Sequence, residues 1–150
     1  MAEKTFLLPD DPFAGSFSFV SGSQRSDLIR SKYRTNGVRD RVFSNVWFGR
    51  RAEGPPGRAH GGAISAVLDE IMGASVWLSG STAFTAELTV RFISGVPLVT
   101  PLRAEARVIS VRDKKMCAQA TLKMRDGTLL AEASAIFIRA PFNPPKRRKK

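Results

Sequence analysis

The sequence predicts an α+β domain in which one long central helix is wrapped by a five-stranded antiparallel sheet. Residues 61 to about 79 form an apolar segment with helical period. Alternating segments of strand character lie on both sides of it. No second crossover helix is present to connect parallel strands, which argues against repeated βαβ units.

The first elements are short. Residues 1 to about 22 are rich in Pro, Gly and Ser and read as an arm lying on the domain. Ser26-Asp27 can cap a short helix carrying Leu28, Ile29 and Tyr33, closed by Asn36-Gly37. Residues 1–38 are therefore expected to be an arm and short helix packed on a domain spanning 39–141. Within that domain, Val42, Val46 and Phe48 share one face at strand period, which predicts the first strand over Arg39 to Phe48. Glu53-Gly54-Pro55-Pro56-Gly57 can be neither helix nor central strand, and reads as a loop.

The helix follows. With Ile64 at zero and about 100° per residue, Val67, Leu68, Ile71, Met72, Ser75 and Leu78 fall in one broad stripe. Four strands are expected after it, as an antiparallel meander. Phe84 to Ile93 alternates, with Ala86, Leu88, Val90 and Phe92 on one face and Thr85, Glu87, Thr89 and Arg91 on the other. Arg103 to Val111 and Met116 to Met124 alternate again, and Asp126-Gly127 marks a hairpin before Leu129 to Arg139.

Composition excludes several function classes. The chain has 150 residues, a length suited to one domain with its own core. One cysteine and one histidine cannot supply an internal disulfide or a structural zinc site, so no metal is expected. No apolar run approaches the roughly 20 residues of a membrane span, and the N-terminus lacks the basic head and apolar stretch of a secretory signal. A reducing cytoplasm is the expected location. The net charge is +11, but five of those charges lie in Lys146–Lys150, leaving +6 on the body. The tail at 142–150 is expected to be disordered, and the remaining basic residues look scattered in sequence, so nucleic acid is not the expected partner. A moderately basic body suits the phosphates of coenzyme A.

The chemistry-bearing residues converge on the helix start. His60 precedes Gly61-Gly62, whose backbone N–H groups open the helix without intrahelical partners, a ready site for a developing oxyanion. Asp69 shares a helix face with Gly62, Ala66 and Gly73, small residues that admit close approach. Its neighbour Glu70 points elsewhere and is expected to make a surface ion pair. Nine residues separate His60 from Asp69, roughly 13 Å along the axis, whereas reacting groups must lie within about 3–3.5 Å. If both are catalytic, the site is shared between two subunits about a two-fold axis, which predicts an obligate homodimer.

GPPGRAHGGAISAVLDEIMG followed by FTAELTVRFISGVPLVTPL resembles the hot-dog-fold thioesterases of the phenylacetic-acid-pathway type. Within that type it is most similar to the branch containing the C-terminal-modulator-like acyl-CoA thioesterases. The resemblance covers about residues 40 to 140. It implies the hot-dog fold and hydrolysis of an acyl-CoA, or an acyl-carrier-protein thioester. Coenzyme A would enter as part of the substrate, with no other cofactor. The implied roles are Asp69 as nucleophile or general base, Thr85 assisting it, Gly61 N–H polarising the thioester carbonyl and His60 beside that carbonyl. Gly62, Glu70 and Phe84 are further candidate substrate contacts from the sequence itself, although core packing explains Phe84 equally well, and the resemblance implies dimers that pair into tetramers. A hot-dog dehydratase or hydratase acting on 3-hydroxyacyl thioesters stays open as an alternative, as does a non-enzymatic acyl-CoA-binding protein.

Overall fold

The computed structural model describes residues 4–9, 11, 13 and 18–141, and the tail expected at 142–150 lies outside them. In chain order the strands are β1 (Thr5–Leu7), β2 (Ile29–Asn36) and β3 (Val42–Phe48), then a 3-10 turn at Arg50–Ala52 and the helix α1 (Gly61–Leu78). After the helix come β4 (Ala83–Phe92), β5 (Leu102–Arg112), β6 (Lys115–Met124) and β7 (Leu129–Arg139). All pair antiparallel in one seven-stranded sheet, in the order β1-β2-β3-β5-β6-β7-β4.

α1 lies against the inner face of this sheet and fills its core. Ile64, Val67, Leu68, Ile71, Met72, Ala74, Ser75 and Val76 are buried, the predicted stripe widened by Ala74 and Val76, while Leu78 is half-buried. By length and composition α1 could cross a membrane, which the sequence reading did not anticipate. Its burial within the sheet is that of a core helix. Opposite it the central strands present alanines in cross-strand rows: Ala106 beside Ala120 beside Ala133, and Ala118 beside Ala135. These short side chains let the helix axis come close, while Leu102, Met116 and Leu122 fill the flanks of the same core.

Three expectations require correction. The segment after Ser26 is strand β2, not a short helix. Its inward positions are Ile29, Ser31, Tyr33 and Thr35, all buried. The two polar ones are satisfied laterally: Ser31 Oγ and Ser44 Oγ lie 2.6 Å apart, and Thr35 Oγ1 donates to Arg41 O at 2.9 Å. Asn36-Gly37 begins the β2–β3 hairpin turn rather than ending a helix, and the sheet therefore has seven strands instead of five.

The strands after the helix are also not a four-stranded meander. β4 pairs with β7, and β5 crosses over to pair with β3. The crossing segment is pinned on its way: Ile93 N–H donates to Leu130 O, Ala59 N–H to Val96 O and Val99 N–H to Phe48 O, at 2.8–2.9 Å. Pro97 and Pro101 cannot donate to a ladder, so the chain leaves one edge strand and enters the interior of the sheet elsewhere.

The third correction concerns the faces of β4. Thr85 pairs with Phe137 and Glu87 with Ile136, so Ala86 is an extra residue in a β-bulge. Thr85 and Glu87 therefore lie on opposite faces, and Thr85 joins Leu88, Val90 and Phe92 on the helix side. Pairing register also gathers cations that look scattered in sequence. Lys32, Asn45, Arg103 and Lys123 form one row across β2, β3, β5 and β6, and Arg30 stacks on Trp47 with 4.0 Å to the ring centroid.

The alanine rows make a direct prediction. Ala120→Leu forces bulk under α1 and lowers unfolding stability by about 1–3 kcal/mol. Thr121→Leu, on the outer face of the same strand, changes it by less than about 0.5 kcal/mol. Urea denaturation of the two variants measures the difference.

Candidate active site

The loop before α1 is built around one close approach. Glu53 and Ala59 form an isolated bridge, Gly54 N–H donates to Arg58 O and Arg58 N–H to Pro55 O, both at 2.9 Å. Glu53 Oε1 accepts the Gly57 N–H at 2.7 Å. A Cβ on Gly54 would lie 2.7 Å from the His60 Cα, so only glycine fits there. The loop thereby delivers His60 to the N-cap of α1, its own N–H bound to Ala52 O at 2.7 Å.

His60 caps the helix with its side chain. Nδ1 accepts the Gly62 N–H at 2.9 Å, which in the neutral imidazole leaves the proton on Nε2. Gly62 N–H is thus consumed. Gly61 N–H, the first of the helix, has no acceptor among the described residues. The Phe92 ring covers this position, since a Cβ on Gly61 would meet it at 3.4 Å.

Asp69 stands about 12 Å further along the helix, eight residues at 1.5 Å each. Thr85 Oγ1 donates to Asp69 Oδ1 at 2.7 Å. The bulge at Ala86 and the pairing of β4 with β7 hold Thr85 in place for this bond. Oδ2 of Asp69 has no partner among the described residues. The candidates thus divide into two clusters on one chain, His60 with Gly61 and Gly62, and Asp69 with Thr85.

Phe84 is 56% exposed and lines a shallow depression with Asp69, Glu70, Ala66, Gly73 and Thr85. Phe13, Phe19 and Val20, from the N-terminal segment, line it too, and nothing in their spacing marked them. Glu70 differs from expectation. It makes no ion pair among the described residues; its carboxylate accepts from the hydroxyls of Tyr33 (2.7 Å), Ser18 and Ser21. Both of its oxygens are engaged by these hydroxyls.

The sequence profile of the thioesterase superfamily matches residues 56–131, the stretch holding the loop end, α1, Asp69 and Thr85. The chain belongs to the thioesterase superfamily. Among curated relatives of this superfamily member, the human acyl-coenzyme A thioesterase THEM5 is 32% identical over 91 residues, 60% of this chain and 37% of the relative. Acyl-coenzyme A thioesterase THEM4 of Xenopus laevis is 35% identical over 89 residues, 58% of this chain and 40% of the relative. The chain thus matches about two fifths of the length of these relatives. Among solved structures, a thioesterase superfamily protein superposes with a TM-score of 0.69 at 25% identity, covering 73% of this chain and 56% of that one. A Streptococcus mutans protein bound to acetyl-CoA superposes with a TM-score of 0.65 at 19% identity, covering 67% and 82%, and shows the shared fold.

Tyr33, the only tyrosine, gives this thioesterase-superfamily chain a pH signature. Burial first, and then the Glu70 charge, push its phenol well above the ordinary value of about 10. The fold therefore favours the neutral phenol. That contribution is fully present below about pH 10 and is lost as pH rises further. Denaturant unfolding should show stability falling above that pH in the wild type and not in Tyr33→Phe. Phenolate absorbance should appear together with unfolding rather than before it.

Proposed function

We propose that the chain is an acyl-CoA thioesterase, hydrolysing an acyl-CoA to the carboxylic acid and free coenzyme A in a site shared by two copies. The observation that carries this is the Thr85–Asp69 hydrogen bond, set about 12 Å along the helix from the unpartnered Gly61 N–H. Thr85 fixes one carboxylate oxygen, leaving Oδ2 to act. As general base, Oδ2 takes the proton of a water whose oxygen attacks the thioester carbon. As nucleophile, it attacks that carbon itself and water later hydrolyses the anhydride.

In either case charge develops on the carbonyl oxygen. The Gly61 N–H of the second copy, at the positive end of its helix, holds that charge. Collapse expels the thiolate of coenzyme A, a good leaving group that leaves little work for a general acid. His60 orients the helix start. With Nδ1 committed to the cap, it lacks the free basic nitrogen a dehydratase would require, so hydrolysis is favoured over the dehydratase reading.

A two-copy arrangement is supported by the state of β4. Among the described residues it ends the sheet with one unpaired edge, and its Phe84, Leu88 and Phe92 are 56%, 37% and 54% exposed. Pairing of two such edges about a two-fold axis would bring each Asp69 toward the other chain's helix start, and two dimers would then associate as a tetramer. Arg50, Arg51 and Arg58, all exposed around the loop, supply positive charge suited to the phosphates of coenzyme A.

Free-thiol release from acyl-CoA substrates tests the reaction. Asp69→Asn should lower kcat by at least about a hundredfold, and a wild-type rate in that variant discards the assignment. Gly61→Pro removes the N–H at a position where proline is compatible with a helix start. Each variant alone should be inactive. Refolding the two as an equimolar mixture should restore about a quarter of wild-type activity, because half the dimers then hold one intact site of two. No recovery would place both groups in one chain.

A further inference from the structure

Glu70 takes no part in the proposed reaction, yet it is tied to a distant part of the chain. Ser18 and Ser21, the donors to its two oxygens, lie 52 and 49 residues upstream, and Tyr33 adds a third hydroxyl from β2. A carboxylate accepts at both oxygens, and hydrogen bonds to it are about twice as strong as neutral ones. The segment it holds is itself closed: Ser18 Oγ accepts the N–H groups of Val20 and Ser21 at 3.2 and 3.3 Å. Val20 is 2% exposed, and Phe13 meets the Tyr33 ring edge-on at 5.6 Å between centroids.

The consequence lies beside Asp69. Phe13, Phe19 and Val20 reach the same depression as Phe84 and Phe137. Ala66 and Gly73, small residues of α1, line it as well. The polar groups lining the depression are Asp69, Glu70 and Thr85, and the Thr85 hydroxyl and Glu70 oxygens are already engaged. No cation lines it. An acyl group carrying its own carboxylate would place a third negative charge beside two others.

We propose that Glu70 is a positioning residue that hangs the Ser18–Ser21 turn beside Asp69, and that the wall so formed selects apolar acyl groups and limits their length. The selectivity half rests on the thioesterase reading; the anchoring half does not. Glu70→Ala releases the wall without touching the reacting atoms, Glu70→Gln keeps one acceptor oxygen, and Phe19→Ala shortens the wall itself.

The test is thiol release by the full chain over saturated acyl-CoAs from acetyl to palmitoyl, with succinyl-CoA as the charged probe. The wild type should favour butanoyl-CoA over succinyl-CoA by at least about a hundredfold in kcat/KM. Glu70→Ala should raise KM for the preferred acyl-CoA about tenfold, with kcat changed less than about threefold, and flatten the chain-length profile. Glu70→Gln should recover most of that loss, and Phe19→Ala should move the optimum to longer chains. An unchanged profile in Glu70→Ala overturns the selectivity role. So does an equal collapse of kcat on every substrate that Gln fails to rescue, because Glu70 would then act in the chemistry. Hydrogen exchange reads the anchor separately: the Val20 and Ser21 amides should lose protection in Glu70→Ala. Unchanged protection overturns the anchor whatever the activity. Wild-type protein releasing no thiol from any acyl-CoA overturns the thioesterase reading and the selectivity with it, while exchange still decides the anchor.

Discussion

An 18-residue helix as apolar as α1 has to be covered on most of its circumference, and that requirement governs the rest of the molecule. Each fully buried Leu or Ile along it contributes about 1.5–3 kcal/mol relative to exposure, so the sheet must curl around the helix rather than touch one side. The alanine rows on β5, β6 and β7 set how closely it can curl. Once the helix is seated, its exposed features are fixed in relation to one another. The His60-capped N-terminus meets the Gly54 loop, and the Asp69 face turns toward β4.

That geometry explains why the catalytic candidates form two clusters. A straight helix cannot bring its first N–H and a side chain two turns later to one carbonyl. The proposed two-copy site follows from that same rigidity, because one carbonyl can reach both groups only if they come from different chains.

Much of this was legible in the sequence because the helix and the strands β5 to β7 obey simple periods. The helix runs Gly61–Leu78 against an expected 61 to about 79. β2 was misread for an identifiable reason. Its inward positions 31 and 35 are Ser and Thr, so the visible apolar signal shrinks to Ile29 and Tyr33, four residues apart, a spacing a helix satisfies equally. In β4 a single extra residue, Ala86, reverses the count, so alternation placed Thr85 with Glu87 on the wrong face. The resemblance pairs Thr85 with Asp69 regardless of period, and a 2.7 Å hydrogen bond joins the two side chains. Glu70 was beyond sequence reasoning, because its partners lie 37 to 52 residues away, two of them in a segment with no period of its own. The cationic row of Lys32, Arg103 and Lys123 was hidden for the same reason; it exists only in the register of the sheet.

The pairing of β4 with β7 also constrains how the chain acquires its form. β4 emerges directly after the helix, yet its ladder partner is the last strand of the sheet. Until Leu129–Arg139 has been synthesised, β4 has no neighbour to hold its bulge, and Thr85 nothing to keep it against Asp69. Such long-range pairing is slow to form and leaves an apolar strand uncovered meanwhile. The Thr85–Asp69 contact and protection of β4 from misassociation therefore arrive in the same late step, which ties the yield of native protein to the rate at which β7 docks.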